Sequence, residues 1–187
     1  CYEGPLSSPR VAAIVPEVTE LFKLAYSKGV RDFLIFQDSH SSDAQEFGSF
    51  APHCVAGSPE AQMIPELSAL DFARDYRVFE KNSISSSIGT GLDDWLKDNE
   101  RVDTFIVVGD CTDLCVYQLA MHLKLSANAG NISRRIIVPA SCVATYDLPV
   151  EVAEGLNAYP HDGDLLHRVF LYHMALNGMD IVSAIVE

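Results

Sequence analysis

An aspartate and two histidines in the first third of the chain could together hold a divalent metal ion. Asp38 and His40 are two residues apart, so in extended backbone their side chains face the same side. His53 follows further along the chain, and Glu46 and Asp43 could be extra ligands by proximity alone. One carboxylate and two imidazoles leave coordination positions open for water or substrate, as functional metal sites do. The alternative is that Asp38 caps a loop and the histidines are ordinary polar residues.

Two cysteines lie where an apolar stretch gives way to a helical pattern, at Cys111 and Cys115. The helix dipole lowers the thiol pKa of a cysteine at a helix start, and amides of the first turn can stabilise an oxyanion. This arrangement suits covalent acyl transfer by a thiolate. Lys81 follows another apolar stretch and would favour the thiolate further. The alternatives are packed thiols, a solvated lysine, and a redox pair of Cys111 and Cys115.

Strands that alternate with helices would bring these residues together. Apolar stretches rich in β-branched and aromatic residues predict strands at 32–37, 76–80, 104–109, 135–140 and 181–186. Helical periodicity predicts helices at 15–25, 91–97, 114–127 and 164–176. The expected fold is a three-layer α/β/α domain with a mainly parallel, doubly wound sheet, in which ligands bind at the carboxyl ends of the strands. Residues 38–75 show no clear periodicity and would form a long functional loop.

Length and composition indicate one globular domain over residues 1–187. The chain is 48% hydrophobic and 21% charged, as is usual for soluble domains. Its formal net charge of -13 disfavours nucleic acid and anionic membranes as partners. No stretch approaches the roughly 20 apolar residues that cross a bilayer. The five cysteines have no regular spacing, which suits a reducing compartment and predicts a cytoplasmic location.

The first predicted helix, at 15–25, has no strand ahead of it from which to cross over. We therefore expect a further strand before Cys1. The remaining candidates receive ordinary interpretations. Trp95 is expected in the core, Cys54 and Cys142 as packed thiols, and His122, His161, His167 and His173 as surface or interface residues. Tyr146, near a strand end, could line a pocket or simply pack.

The motifs, taken together, resemble the cysteine-hydrolase branch of the isochorismatase-like superfamily, and within it the plant-type nicotinamidases. The similar segments follow one another in the same order along the chain, at residues 37–40, 52–58, 80–82, 109–116 and 144–149. The resemblance implies that Cys115 is the nucleophile and Lys81 the catalytic lysine. It also implies that Asp38, His40 and His53 hold a metal ion that engages a pyridine nitrogen. Phe50 matches a position often taken by a substrate-stacking aromatic residue.

The implied reaction is hydrolysis of nicotinamide to nicotinate and ammonia through a thioester on Cys115, a step of NAD salvage. The amides of Cys111 and Cys115 would form the oxyanion hole, beside a cis peptide bond between Asp110 and Cys111. One divalent metal ion is implied, zinc with iron or manganese as alternatives. The catalytic aspartate of the family would lie on the strand expected before Cys1. The expected partners are a small-molecule amide and further copies of the chain in a homo-oligomer.

Three other functions fit parts of the pattern. A related amidohydrolase for N-carbamoyl or ureido compounds would not need a ring-binding metal, so the aspartate and two histidines weigh against it. Isochorismatase itself acts without a nucleophilic cysteine, so Cys115 argues against that activity. A non-catalytic binding protein on the same fold agrees with the absence of an evident catalytic aspartate from residues 1–187.

Overall fold

Parallel strands alternate with helices along the chain, of which the computed structural model describes residues 7–155 and 158–186. The strands are β1 (Leu34–Asp38), β2 (Arg77–Lys81), β3 (Thr104–Ile106), β4 (Gly109–Asp110), β5 (Arg135–Pro139), β6 (Val143–Ala144) and β7 (Asp180–Val182). The α-helices are α1 (Pro9–Ala12), α2 (Val15–Ser27), α3 (Pro65–Ser68), α4 (Leu92–Asp98), α5 (Tyr117–Ala129), α6 (Val150–Gly155) and α7 (Gly163–Leu176). Within these residues, no helix combines the length and the apolar character that crossing a membrane requires.

The pairings between these strands are parallel, which confirms the predicted α/β fold class. β1 pairs with β2, β5 lies between β3 and β7, and β4 pairs with β6. In the first pair Asp38 is the register partner of Lys81, so the last residues of two adjacent strands stand side by side. Paired positions on adjacent strands project their side chains to the same face. This register brings two of the predicted site residues to one edge of the sheet.

The strand predicted at 104–109 is divided into two strands with different partners. β3 ends at Ile106 beside β5, whereas β4 begins at Gly109 and pairs with β6. Gly109 has a φ of 115°, a conformation that glycine adopts without steric cost. The chain bends there, leaves β5 and turns towards the segment that carries Cys115. The strand predicted at 181–186 is also shorter, because β7 ends at Val182.

Helices α2 and α7 begin close to their predicted positions because the sequence marks their first turns. Pro16 lies in the first turn of α2, where its missing N–H breaks no helical hydrogen bond. Asp162 caps α7 by accepting a hydrogen bond from the Leu165 N–H at 2.9 Å. The predicted helix at 114–127 differs at its start, because Thr112–Val116 form a π-helical turn ahead of α5.

The main hydrophobic core lies between the β3–β5–β7 sheet and helices α4, α5 and α7. Its buried members include Leu92 and Trp95 of α4, Leu123 of α5, Ile136 and Val138 of β5, and Met174 of α7. Trp95 is 4% exposed and presents its ring to the ring of Phe105 edge to face. The prediction that Trp95 is a core residue is therefore confirmed.

A cavity of about 790 Å³ lies between β1 and β3. Apolar side chains of β1, β3 and α2 line it, and it reaches the carboxyl ends of β1 and β2 at Asp38 and Lys81. Within the described residues β1 has β2 as its paired neighbour and β3 has β5, so each strand has one edge towards the cavity. The strand expected before Cys1 lies outside the described residues.

Candidate active site

Lys81 and Asp38 form an ion pair at the carboxyl ends of β1 and β2. Lys81 is 4% exposed, and its ammonium donates to the Asp38 carboxylate and, at 3.2 Å, to the Ser83 carbonyl oxygen. Burial by itself would lower the pKa of Lys81, but the neighbouring Cys115 and Asp38 raise that pKa above its usual value. Lys81 is therefore a cation inside the site.

Cys115 lies in the π-helical turn between β4 and α5 and faces Lys81. The Cys115 Sγ is 3.4 Å from the Lys81 Nζ, so the structure brings the predicted thiol and cation together. Burial raises the pKa of Cys115 to about 11, although Lys81 acts to lower it, and the charges of Asp38 and Asp110 raise it. The expectation of a lowered pKa is wrong because burial outweighs the ammonium. At neutral pH the residue is a thiol that needs a base to remove its proton.

Asp38, His40 and His53 come together as a candidate metal site. Their ligand atoms, one from each residue, all lie within 4.8 Å of one another. His40 is completely buried, and its Nε2 has no hydrogen-bond partner among the residues that the structure describes, although an Asp38 carboxylate oxygen lies 3.4 Å away. His53 Nδ1 is 2.8 Å from the Ala51 carbonyl oxygen, which requires a proton on Nδ1 and leaves Nε2 as an acceptor. A divalent cation fits this donor set, since it would satisfy an otherwise costly buried nitrogen.

Neighbouring side chains orient the two histidines. Asn82 Oδ1 is 3.3 Å from His40 Nδ1, which favours the proton on Nδ1 and leaves Nε2 free for a metal ion. Glu46 Oε1 is 3.8 Å from His40 Nε2, while Glu46 Oε2 accepts a hydrogen bond from the Ile84 N–H. Glu46 thus lies beside the three converging residues, whereas Asp43 is exposed and outside them. Phe47, which no spacing predicted, presents its ring to both histidines edge to face.

The cavity is lined by the remaining predicted site residues. Phe50, Tyr146, Cys111 and Cys115 all face it. Phe50 lies edge to face with His53, with ring centroids 6.4 Å apart. The peptide bond between Asp110 and Cys111 is cis, as in the family that the sequence resembles. The cavity therefore brings two aromatic side chains and a thiol together near the carboxyl ends of the strands.

The sequence marked Asp110 only as one side of the expected cis peptide bond and gave its side chain no role. Its side chain belongs to the cavity lining, and burial raises its pKa. Its charge in turn raises the pKa of Cys115. The available signal was its position at the carboxyl end of an apolar strand, where open α/β sheets bind their ligands.

The cysteines of the described residues are free thiols. Cys142 is buried in a small cluster with Val18 and Leu21, as expected of a packed thiol. Cys54 is half-buried and lines the cavity, and burial raises its pKa to about 11. Cys111 and Cys115 form no disulfide, so the structure does not show the redox pair that the sequence left open.

His161 is 8% exposed, which corrects the prediction of a surface or interface residue. The reason is that the segment after α6 folds back over the turn that carries Cys115. His122 and His167 are half-buried and His173 is exposed. None of the four belongs to a group of converging metal ligands within the part of the chain that the structure describes.

The fold and the site define a known family. Residues 1–158 match the Isochorismatase domain, and the chain therefore belongs to the isochorismatase family. Nicotinamidase 1 of Arabidopsis thaliana is 32% identical over an alignment of 162 residues that covers 81% of this chain. The match covers 66% of that relative, so the chain spans just under two thirds of its length.

Solved structures share the fold over almost the whole chain. N-carbamoylsarcosine amidase of Thermoplasma acidophilum has a TM-score of 0.73 at 22% identity, covering 99% of this chain and 91% of its own. Pyrazinamidase of Pyrococcus horikoshii in complex with zinc has a TM-score of 0.71 at 22% identity. The match covers 96% of this chain and 89% of the pyrazinamidase chain. Identities this low establish the fold alone. The family match and the Arabidopsis thaliana nicotinamidase support the predicted enzyme class, a hydrolase that acts on amide bonds.

Proposed function

We propose that the chain is a metal-assisted cysteine amidohydrolase that converts nicotinamide to nicotinate and ammonia, a step of NAD salvage. The observation that carries the proposal is the 3.4 Å approach of Cys115 Sγ to Lys81 Nζ in a cavity that also reaches Asp38 and His53. A thiol, a buried cation and a candidate metal site beside one cavity are the parts that this reaction needs. The nicotinamidase of Arabidopsis thaliana among the relatives supports the substrate.

The first chemical step forms a bond between Cys115 Sγ and the amide carbon. Because the Cys115 pKa is about 11, a base must take the thiol proton as this bond forms. We assign the base to an aspartate on a strand outside the described residues, and the cavity between β1 and β3 supports a strand there. Lys81 stabilises the thiolate and the developing oxyanion, together with the amides of Cys111 and Cys115.

The second half of the reaction releases both products. The C–N bond breaks, the base returns its proton to the leaving nitrogen, and ammonia departs from a thioester on Cys115. Water then gives a proton to the same base and attacks the thioester carbon, the C–S bond breaks, and the base returns this proton to the Cys115 sulfur. The carboxylic acid product loses its own proton to solvent and leaves as nicotinate. Lys81 stays protonated throughout, in line with its raised pKa.

Asp38, His40 and His53 would hold one divalent metal ion. The unpartnered Nε2 of the buried His40 supports this assignment. When bound, the ion supplies a Lewis acid for the pyridine nitrogen and so orients the carboxamide. We propose zinc, with iron and manganese as alternatives, since an aspartate and two histidines accommodate all three. The zinc complex of the Pyrococcus horikoshii pyrazinamidase supports zinc.

Removing a metal ligand should remove the metal. We expect His53→Ala to lower the zinc retained after loading and desalting from about one ion per chain to near zero, because two ligands hold zinc weakly. Elemental analysis measures this content without reference to activity. His122→Ala is the matched control, since His122 also contacts a carboxylate, Asp93 at 2.6 Å, but lies apart from the cluster. Equal zinc in His53→Ala and the unaltered protein would contradict the assignment.

Removing the nucleophile should abolish hydrolysis. We expect Cys115→Ala to lower ammonia release from nicotinamide by more than about a thousandfold, as loss of a covalent nucleophile does. Cys142→Ala is the control, because Cys142 is a buried thiol outside the cavity lining. Substantial activity in Cys115→Ala would exclude the thioester mechanism.

A second substrate class is tested in the same assay. The fold shared with an N-carbamoylsarcosine amidase makes N-carbamoyl compounds the alternative substrates. We expect faster ammonia release from nicotinamide, because the three converging ligands suit a ring nitrogen. Faster release from N-carbamoylsarcosine would favour the alternative, and nicotinamide binding without release would indicate a non-catalytic binding protein.

The proposal also includes a homo-oligomer in the cytoplasm. Exposed apolar side chains along α7 support self-association, namely Leu165, Val169, Tyr172 and Leu176. The free thiols of the described cysteines support a reducing compartment. Sedimentation velocity measures the oligomeric state directly.

A further inference from the structure

A buried aspartate and histidine lie next to the nucleophile without any role in the proposed reaction. His161 and Asp113 are each 8% exposed, and His161 Nε2 is 2.8 Å from Asp113 Oδ2. The other ring nitrogen, Nδ1, is 2.9 Å from the Tyr146 carbonyl oxygen. The second carboxylate oxygen, Asp113 Oδ1, accepts a hydrogen bond from the Thr145 hydroxyl at 2.5 Å. Every polar atom of the pair therefore has a partner.

The partners fix how many protons the pair carries. A carbonyl oxygen only accepts, so the bond to Tyr146 requires a proton on Nδ1 of His161. The bond to Asp113 also needs one proton, which lies between Nε2 and the Asp113 carboxyl group. The pair therefore carries two protons, one on Nδ1 and one in the bond between His161 and Asp113. Each polar side-chain atom of the buried pair is hydrogen-bonded, which is the usual condition for burying polar groups.

The pair joins two walls of the candidate site. Asp113 belongs to the π-helical turn and precedes Cys115 by two residues. The His161 ring stacks on the Tyr146 ring, with centroids 3.8 Å apart and planes at 19°. Backbone bonds of 2.8 Å and 2.9 Å between Leu148 and His161 hold the same segment. Since Tyr146 and Cys115 both line the cavity, the pair sets the position of the aromatic wall relative to the thiol.

We infer that His161 is a positioning residue, which through its stacking on Tyr146 and its bond to Asp113 holds Tyr146 against the turn of Cys115 and thereby sets substrate affinity. The inference rests on the proposed function for its substrate. His161 contacts Tyr146 and Asp113 and no group of the ion pair or of the metal cluster. Its loss should therefore weaken binding more than it slows the chemical step.

Two matched substitutions separate this role from a general structural one. His161→Gln retains a donor for Asp113 but loses the ring that stacks on Tyr146. His167→Gln is the control, because His167 also contacts the π-helical turn, through the Thr112 hydroxyl at 2.9 Å. We expect His161→Gln to raise KM for nicotinamide about tenfold and to change kcat by less than about threefold, the pattern of lost uniform binding. His167→Gln should change neither.

Action through Tyr146 is tested by a double-mutant cycle. Tyr146→Leu should raise KM, and adding His161→Gln should raise it little further, because coupled residues are not additive. Equal KM values in His161→Gln and His167→Gln would overturn the inference. So would effects of His161→Gln and Tyr146→Leu on KM that simply add in the double variant. An unaltered protein without nicotinamide hydrolysis would refute the proposed function instead.

The bond from His161 to Tyr146 is measured without activity. In a nitrogen-15 NMR spectrum we expect a protonated Nδ1 for His161, assigned by its loss in His161→Gln. In Asp113→Asn the amide can donate to Nε2, so we expect Nδ1 to stay protonated and KM to be close to that of the unaltered protein. An Nδ1 without a proton in the unaltered protein would overturn the inference, and so would a KM for Asp113→Asn raised as far as that of His161→Gln.

Discussion

Besides Asp38, which raises its pKa, two charges of opposite sign act on the thiol of Cys115. Lys81, at 3.4 Å, lowers its pKa, and Asp110 in the same cavity raises it. Burial is the larger influence and leaves the pKa at about 11. Reactivity of the free thiol should therefore increase with pH up to that value, because only the thiolate is nucleophilic.

Substitutions of these two charges should move the reactivity of Cys115 in opposite directions. Asp110→Asn removes a negative charge, lowers the pKa and should speed alkylation by iodoacetamide below pH 11, whereas Lys81→Gln raises the pKa and should slow it. A change of about one pKa unit corresponds to about tenfold in rate. Mass spectrometry measures alkylation of Cys115 separately from the other cysteines.

Asp103→Asn is the control for this comparison, because Asp103 precedes β3 at the end opposite to the site. Asp103→Asn should leave the rate of Cys115 alkylation unchanged. Slower alkylation in Asp110→Asn would show that Asp110 does not oppose the thiolate.

Spacing along the chain predicted which residues meet at the site but not how they ionise. The short distance in sequence between Asp38 and His40, and the position of Lys81 after an apolar stretch, sufficed to place them together. The pKa of Cys115 depends on burial by several elements, which no local pattern encodes. The contact between Asp113 and His161 joins residues 48 positions apart, so it was equally invisible.

At the scale of elements, the start of α7 is packed directly against the Tyr146 segment. A Cβ atom at Gly163 would lie 2.6 Å from the Tyr146 carbonyl oxygen and 3.1 Å from Arg10 Nε. The Gly163 N–H also donates to Asp147 at 2.8 Å. Glycine at this position thus permits a close approach between helix and backbone.

Gly163→Ala should destabilise the protein because the backbone oxygen of Tyr146 must move. We expect a loss of about 1–3 kcal/mol in the free energy of unfolding, as for other overpacked sites. Urea denaturation measures this change. Gly48→Ala is the control, since a Cβ there meets no atom of the described residues within 4 Å, and it should change the free energy by less than about 0.5 kcal/mol. Equal stability of the two variants would contradict the close approach.

Helices were easier to predict than strands, for a physical reason. The ends of α7 follow from a capping aspartate and an amphipathic pattern, which are both local. The division of 104–109 into β3 and β4 follows from a change of partner, from β5 to β6, which is a property of the whole sheet. An apolar run alone indicates burial and not the identity of the neighbouring strand.

At the scale of the molecule, the cavity between β1 and β3 predicts a pattern of amide protection. N–H groups of successive strand residues point to opposite edges. Ser39 donates to Lys81 and Val107 to Ile137, so by alternation Phe36 and Ile106 direct their N–H groups towards the cavity. A further strand in this place would hydrogen-bond both groups.

Hydrogen exchange in the intact protein tests for this strand. If it is present, the amides of Phe36 and Ile106 should exchange at least about a hundredfold more slowly than unprotected amides. Ile35 and Phe105 point to existing neighbours and provide the protected reference. Rapid exchange at Phe36 and Ile106, while Ile35 and Phe105 stay protected, would contradict the further strand and the catalytic aspartate assigned to it.

The register between Asp38 and Lys81 has a consequence for changes in chain length. Side-chain direction alternates along a strand, so deleting one residue inside the five-residue β2 would turn Lys81 to the opposite face and away from its carboxylate. No single substitution could restore the pair. Insertions and deletions between residues 62 and 76 leave both strand ends and the ligands His40 and His53 where they are. Tolerated differences in length should therefore collect in that part of the loop rather than in either strand.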